Sequence, residues 1–287
     1  MIKEYMSFGG GVQSTAIALL AINKDKRLLQ ATGGKVPEMY IFADTGDEPD
    51  EVYENVKVMR GLIEESGAVF LSVAYDHPEC GNMALSEHVI SRLEAGLSGI
   101  SFPPFFVLDK NGGSVPIRRG CTRDFKVLAL DKAVKRYFEI NPRKHKQVML
   151  RQWYGISLDE VSRTRASMDK WRTFYYPLIE MGWRRGRCLK YIERNGMSVA
   201  RSACVYCPFH SNAEWRRIQS DPAEFKKAVD FEKEIHRFWD SGVKVGGLES
   251  KPYLHRSRVP IDQIDFTGGQ IDLPFGMDNE CAGVCGV

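Results

Sequence analysis

The chain has 287 residues, 43% hydrophobic and 27% charged, with a formal net charge of +3. That is enough for one large domain with a sizeable core. No apolar run approaches the ~20 residues that cross a bilayer, and the N-terminus lacks the pattern of a signal peptide, so a cytoplasmic protein without membrane contact is expected.

Lys3 to Phe8 reads as a short strand running into Gly9, Gly10 and Gly11, and Ser14 to Ile22 reads as the helix that follows. Val36 to Ala43 reads as a second buried strand, ending at the segment DTGDEP. Apolar residues at Val52, Val56, Met59 and Ile63 give 51–65 a helical spacing, and Val69 to Ala74 reads as a third strand. Strand and helix alternate, which predicts an α/β fold with a parallel sheet. Ligands of such sheets bind beyond the carboxyl ends of the strands. The segment ISFPPFFVLDKNGGSVP reads as a loop or lid. Helices are expected over 122–138, 158–168, 187–194 and about 213–239, and another core strand over 148–150. We divide the chain into an α/β part, 1–180, and a helical cysteine-bearing part, 181–287, packed on the same domain.

A strand, a glycine-rich loop and a helix N-terminus present backbone N–H groups to an anion. Gly9, Gly10 and Gly11 let a ligand approach the backbone, and Ser7, Ser14 and Thr15 add hydroxyl donors. No lysine follows the glycines, so this is not the common Gly-Lys-Ser/Thr phosphate loop. Charge is also uneven along the chain. From Arg118 to Arg151 there are eleven Lys/Arg against three Asp/Glu, and Arg163, Arg165, Arg172, Arg184, Arg185 and Arg187 follow. Such clustering suits an anionic ligand; a nucleic acid is compatible with it and not required.

Seven cysteines in a chain expected in a reducing compartment suggest metal binding or thiol chemistry more than a disulfide scaffold. Cys204 and Cys207 form a Cys-x-x-Cys-Pro, a spacing that lets two thiolates grip one metal or cluster across a tight turn. Cys80 is assigned no role.

The segment SFGGGVQSTA resembles the PP-loop of the adenine nucleotide alpha hydrolase superfamily, and FADTGDEPDEVYENV resembles the second motif of its phosphoadenosine phosphosulfate reductase branch. CTRDFKVLALDKAV, WYGISLDEVSRTRA, YPLIEMGWRRGRCLKYIERNGM and SACVYCPF are similar to further segments of that branch. The resemblance implies a Rossmann-like sheet whose loops hold an adenine nucleotide, either the sulfonucleotide or ATP. It implies nucleotide contacts from Ser7, Gly9, Gly10, Gly11, Gln13, Ser14, Thr15, Asp44, Thr45, Gly46 and Arg165. It further implies a 4Fe–4S cluster, which we expect on Cys121, Cys188, Cys204 and Cys207, with zinc on the same ligands as the alternative and His210 as a substitute for Cys188. Relatives carry a Glu-Cys-Gly tail whose cysteine attacks the substrate sulfur. Glu280-Cys281 matches its first two positions, Ala282 replaces the glycine, and Cys285 is placed to resolve an adduct on Cys281.

Three functions are compatible with this pattern. The first is a reductase in which Cys281 attacks the sulfonucleotide and a thiol reductant releases sulfite. The second is an ATP-dependent sulfurtransferase that adenylates and thiolates a nucleic acid or small molecule, with a sulfur donor. The third is a non-catalytic nucleotide- or cluster-binding module. Gln13 stands where the pyrophosphatase branch carries a Mg²⁺-binding aspartate, and a neutral amide is a poor ligand for that ion. This favours the first function, although Asp44 or Asp47 could still supply a carboxylate.

Overall fold

Large apolar side chains at Tyr5, Met6 and Phe8 and at successive positions of 39–42 require burial on both faces of a strand. Both segments are central strands of the structure, a computed structural model that describes residues 2–77, 81–145, 147–243, 245 and 247–267. In chain order the elements begin with β1 (Lys3–Ser7), α1 (Val12–Ile22), α2 (Lys26–Thr32), β2 (Met39–Asp44), α3 (Asp50–Glu65) and β3 (Val69–Ala74). A short ladder of β4 (Asp76–His77) with β5 (Gly81–Asn82), then α4 (Leu85–Glu94) and the hairpin β6 (Phe106–Leu108) and β7 (Ser114–Pro116), follow. A π-helical segment, Thr122–Leu128, runs into α5 (Ala129–Tyr137). Then come β8 (Leu150–Trp153), a 3-10 helix Leu158–Arg163, β9 (Arg172–Tyr175), α6 (Pro177–Glu180), α7 (Arg185–Arg194), α8 (Asn212–Ser220) and α9 (Pro222–Asp240).

The main sheet has the order β3-β2-β1-β8-β9 and is parallel throughout. The chain steps outward from β1 to β3 and then returns to lay β8 on the other side of β1. That reversal opens a crevice beyond the carboxyl ends of β1 and β8, the place where open parallel sheets bind ligands. One face of the sheet, with Met6, Phe8, Tyr40, Phe42 and Trp153, packs on α1 and on Cys188 and Ile192 of α7. The other face, with Tyr5, Met39, Ile41 and Leu150, packs on Leu130 and Val134 of α5 and on Trp171. A further core gathers Leu85, Val89, Phe105, Phe125, Val205, Tyr206, Trp215 and Phe231. The α/β parallel-sheet architecture is thus as expected, and α7, from beyond residue 180, joins the helical layer of the sheet itself.

Several boundaries differ for physical reasons. β2 starts at Met39, after an exposed Val36 and a buried Pro37 that has no N–H to give a ladder. The fourth sheet strand spans 150–153, and Val148 is exposed. The helix expected over 158–168 is a 3-10 helix ending at Arg163, with Glu160 out of helical geometry at φ −116°. The long helix expected over 213–239 is two helices. Asp221 ends α8 and caps α9 by accepting from the Ala223 and Glu224 N–H groups, and Pro222 opens α9. The expected lid carries the β6–β7 hairpin, with Phe102, Phe105 and Phe106 buried. Among the described residues no helix is long and apolar enough to cross a membrane.

Candidate functional site

The glycine loop leaves β1 at the crevice. Phe8 N–H donates to Ile41 O at 2.9 Å, and Gly10 then adopts φ +75°. A Cβ on Gly10 would lie 3.0 and 3.1 Å from Val56 and Val52 of α3, so both the left-handed backbone and the tight approach call for glycine here. Asn55 of α3 holds the loop from behind: its Nδ2 donates to Gly10 O at 2.7 Å and to Thr15 Oγ1 at 2.9 Å. The Ser14 hydroxyl donates to Gly11 O at 3.0 Å. Ser7 Oγ accepts from Gln152 Nε2 at 2.8 Å, which leaves its own proton for an acceptor. Across the crevice, Gly155 after β8 lies so close to α1 that a Cβ there would meet Ser14 N at 2.8 Å. Gly9 is partly exposed, whereas Gln13 is fully buried. The Gln13 amide donates to Glu160 Oε2 at 3.1 Å and approaches Ser157 Oγ at 3.4 Å. Glu160 also accepts from Arg163 at 3.0 Å, and burial raises its pKa.

The acidic turn after β2 is internally tied. Asp44 Oδ1 accepts from Gly46 N and Tyr53 OH, each at 2.8 Å. Gly46, at φ +76°, lies against Ala84, where a Cβ would come within 2.6 Å of another. The rest of the turn faces the cysteine loop. Asp47 accepts from Ser86 and from the Tyr206 hydroxyl, and its carbonyl accepts from Val205 N at 2.8 Å. Glu48 is buried and pairs with the buried Lys126 at 2.9 Å, and it accepts from Ser202 Oγ at 3.2 Å. Thr45 Oγ1 lies 3.3 Å from Cys204 Sγ.

A pocket opens on this side, lined by Thr45, Cys121, Thr122, Lys126, Cys204 and Cys207, with Arg119 and Arg201 among its cations and Leu85, Pro103, Pro104 and Phe209 among its apolar walls. Two local features assemble it. The Cys-x-x-Cys closes as a turn, Cys207 N–H donating to Cys204 O at 2.8 Å. The π-helix after Cys121 has a wider turn than an α-helix, so Cys121, Thr122 and Lys126 all reach the same pocket. Burial pushes the Cys204 thiol well above the ordinary range, opposed by the Lys126 charge and the Thr45 hydroxyl. His210 is neutral, pushed down to about 3 chiefly by burial. Its Nε2 donates to the Cys204 carbonyl at 2.9 Å, so that nitrogen is not offered to a metal.

The structure therefore brings Cys121, Cys204 and Cys207 to one pocket, which Thr45 of the Asp44–Gly46 turn also lines. It does not bring the fourth expected cysteine to that pocket. Cys188 is buried in α7, in the core shared with α1, Trp183 and Ile192, and does not line the pocket. Among the described residues no three His, Cys, Asp or Glu side chains gather closely enough to hold a single metal ion. Arg165 is exposed, with its backbone N–H and C=O both bonded to the Tyr176 hydroxyl. Cys80, Cys281 and Cys285 lie outside the described residues. Three contributors escape a reading by motif: Asn55, Glu48 and Lys126. Asn55 left a trace, as a polar residue within the apolar stripe of α3.

Fold and site together define a parallel α/β protein with a switch-point crevice and an adjoining cysteine-lined pocket. Compared with known proteins, the chain matches no family model, no curated protein and no solved structure.

Proposed function

We propose that this protein binds an adenine nucleotide in the crevice beyond β1 and β8 and performs sulfur chemistry at the adjoining pocket, as a phosphoadenosine phosphosulfate reductase-like enzyme. The observation that carries this reading is the 3.3 Å contact of Thr45 with Cys204, because one turn borders both crevice and pocket. The first turn of α1 and the glycine loop receive the phosphate or sulfate end of the ligand. Gln13 supports a sulfonucleotide over Mg²⁺-dependent ATP cleavage, since a neutral amide is a poorer ligand for that hard dication than a carboxylate. Reduction of the sulfonucleotide to sulfite takes two electrons, which an external dithiol supplies as it becomes a disulfide.

Three thiols line one pocket, and thiolates are the ligands of a 4Fe–4S cluster, with zinc as the alternative on the same residues. Cys121, Cys204 and Cys207 would hold the cluster, and Arg119, Lys126 and Arg201 would offset its negative charge. Bound there, it would supply electron-transfer or sulfur-binding chemistry.

The test is anaerobic purification with iron, sulfide and zinc analysis, followed by titration with phosphoadenosine phosphosulfate and with ATP. Iron with sulfide and tighter sulfonucleotide binding are expected. Tight ATP–Mg²⁺ binding with pyrophosphate release would replace this reading with the sulfurtransferase one, and a zinc-only protein would end the cluster assignment. Binding without turnover would leave a non-catalytic module.

A further inference from the structure

Among the arginines of 184–194, Arg185 donates its N–H to Asp159 beside Glu160, while Arg184, Arg187 and Arg194 do not line the pocket described above. On α7, Arg187, Lys190 and Arg194 recur at positions i, i+3 and i+7 and share one exposed face. Arg184, at the N-cap of α7, is exposed beside them. The corner between α1 and α2 adjoins the far end of this helix. Asn23 donates to Tyr191 OH at 3.3 Å and to Asn195 Oδ1 at 3.0 Å, which brings the exposed Lys24 and Lys26 up to it.

These six cations differ from those elsewhere on the surface. On α9 the exposed Lys226, Lys233 and Arg237 are each paired, with Asp230, Asp262 and Glu234. Among the described residues none of Lys24, Lys26, Arg184, Arg187, Lys190 and Arg194 forms an ion pair. The nearby acids are few: Asp25 is engaged by Arg27, Glu193 sits at the edge of the α7 face, and Asp159, which accepts from Arg185 N–H at 3.1 Å, faces Arg184 at the start of the helix. The patch is also held in shape. The guanidiniums of Arg187 and Arg27 lie 4.8 and 5.2 Å from the centre of the Trp183 ring, so Arg187 is oriented before any partner arrives.

We propose that this face, α7 with the α1–α2 corner, is a docking surface for the phosphate backbone of a nucleic acid. A row of unpaired cations along a helix matches a regularly charged polyanion, and the release of its counterions drives binding. A membrane fits less well, because the aromatic side chain on this α7 face, Tyr191, is packed partly against the core and bonded to Asn23, not free to insert. The proposal is independent of what the pocket binds.

The test is fluorescence anisotropy of the full chain with labelled 20-nucleotide single-stranded RNA and 20-base-pair duplex DNA, from 50 to 200 mM salt. Arg187→Ala/Lys190→Ala/Arg194→Ala is compared with wild type and with Lys226→Ala/Lys233→Ala/Arg237→Ala. The first variant should bind at least ~10-fold more weakly, and its salt slope should fall by about 2 to 3, as for three lost phosphate contacts. The second should bind like wild type. Arg187→Lys/Arg194→Lys, which keeps the charge, should retain the slope and guards against misfolding as the cause. The RNA and DNA arms decide which backbone is preferred. Equal binding by the alanine variant, no binding by wild type at 50 mM salt, or preference for phosphatidylserine vesicles over both nucleic acids would overturn the proposal.

Discussion

Replacing Lys126 by Met tests whether the acidic turn and the cysteine pocket are one electrostatic unit. The Lys126 and Glu48 side chains are 9% and 0% exposed, and their charged atoms are 2.9 Å apart. Without Lys126, the buried Glu48 carboxylate loses its ion-pair partner and keeps hydroxyl contacts from Ser202 at 3.2 Å and Thr45 at 3.5 Å. An orphaned buried charge of this kind costs about 3–5 kcal/mol. Glu48→Gln removes that charge, so Lys126→Met/Glu48→Gln should be less destabilised than the sum of the single variants, by about 2 kcal/mol. Urea unfolding followed by tryptophan fluorescence measures all four proteins. Strictly additive single effects, or a Lys126→Met loss below about 1 kcal/mol, would refute the pairing.

Three further outcomes are expected. Glu232 accepts from Leu254 N and Ile261 N at 2.8 and 2.7 Å, yet burial raises it to about 7. Its folded pKa lies above the ordinary value, so it stabilises the protein at low pH and that stability is lost as pH rises from about 4.5 to 7. The loss is about 3 kcal/mol, and Glu232→Gln should flatten that part of the pH–stability curve measured by urea unfolding. Gly155→Ala places a Cβ 2.8 Å from Ser14 N; it should destabilise the fold by about 1–3 kcal/mol and weaken nucleotide binding by calorimetry. Gln13→Glu sets a second buried carboxylate about 3 Å from Glu160. The two cannot both ionise cheaply, so unfolding titrations should show a penalty that is small at pH 5 and grows to about 3 kcal/mol by pH 8.

Much of the sheet was legible because burial on both faces leaves continuous apolar runs, and glycines punctuate their ends. That is why β1 and β2 are recognised as core strands, while α3 is legible from the helical spacing of Val52, Met59 and Ile63. Edges decided by single contacts were not legible. The helix expected over 158–168 stops at Arg163 because Glu160 turns inward to Gln13, a partner 147 positions away. Asp221-Pro222 was a local signal that the long helix would break, since it reads as a cap followed by a first-turn proline.

The cysteines divide in the same way. Residue type and the Cys-x-x-Cys-Pro spacing determined that Cys204 and Cys207 share a turn, because a turn is made by neighbours in the chain. Cys121 joins them only in the folded protein, where a π-helix delivers it to their pocket, and Cys188 is held away because its helix must cover the sheet. By itself the sequence determined a parallel α/β sheet, a glycine loop at a strand end and a thiol turn, all consequences of local pattern. Only the tertiary structure decided which loops meet, since Thr45 and Cys204, or Glu48 and Lys126, come together through long-range packing that no spacing encodes.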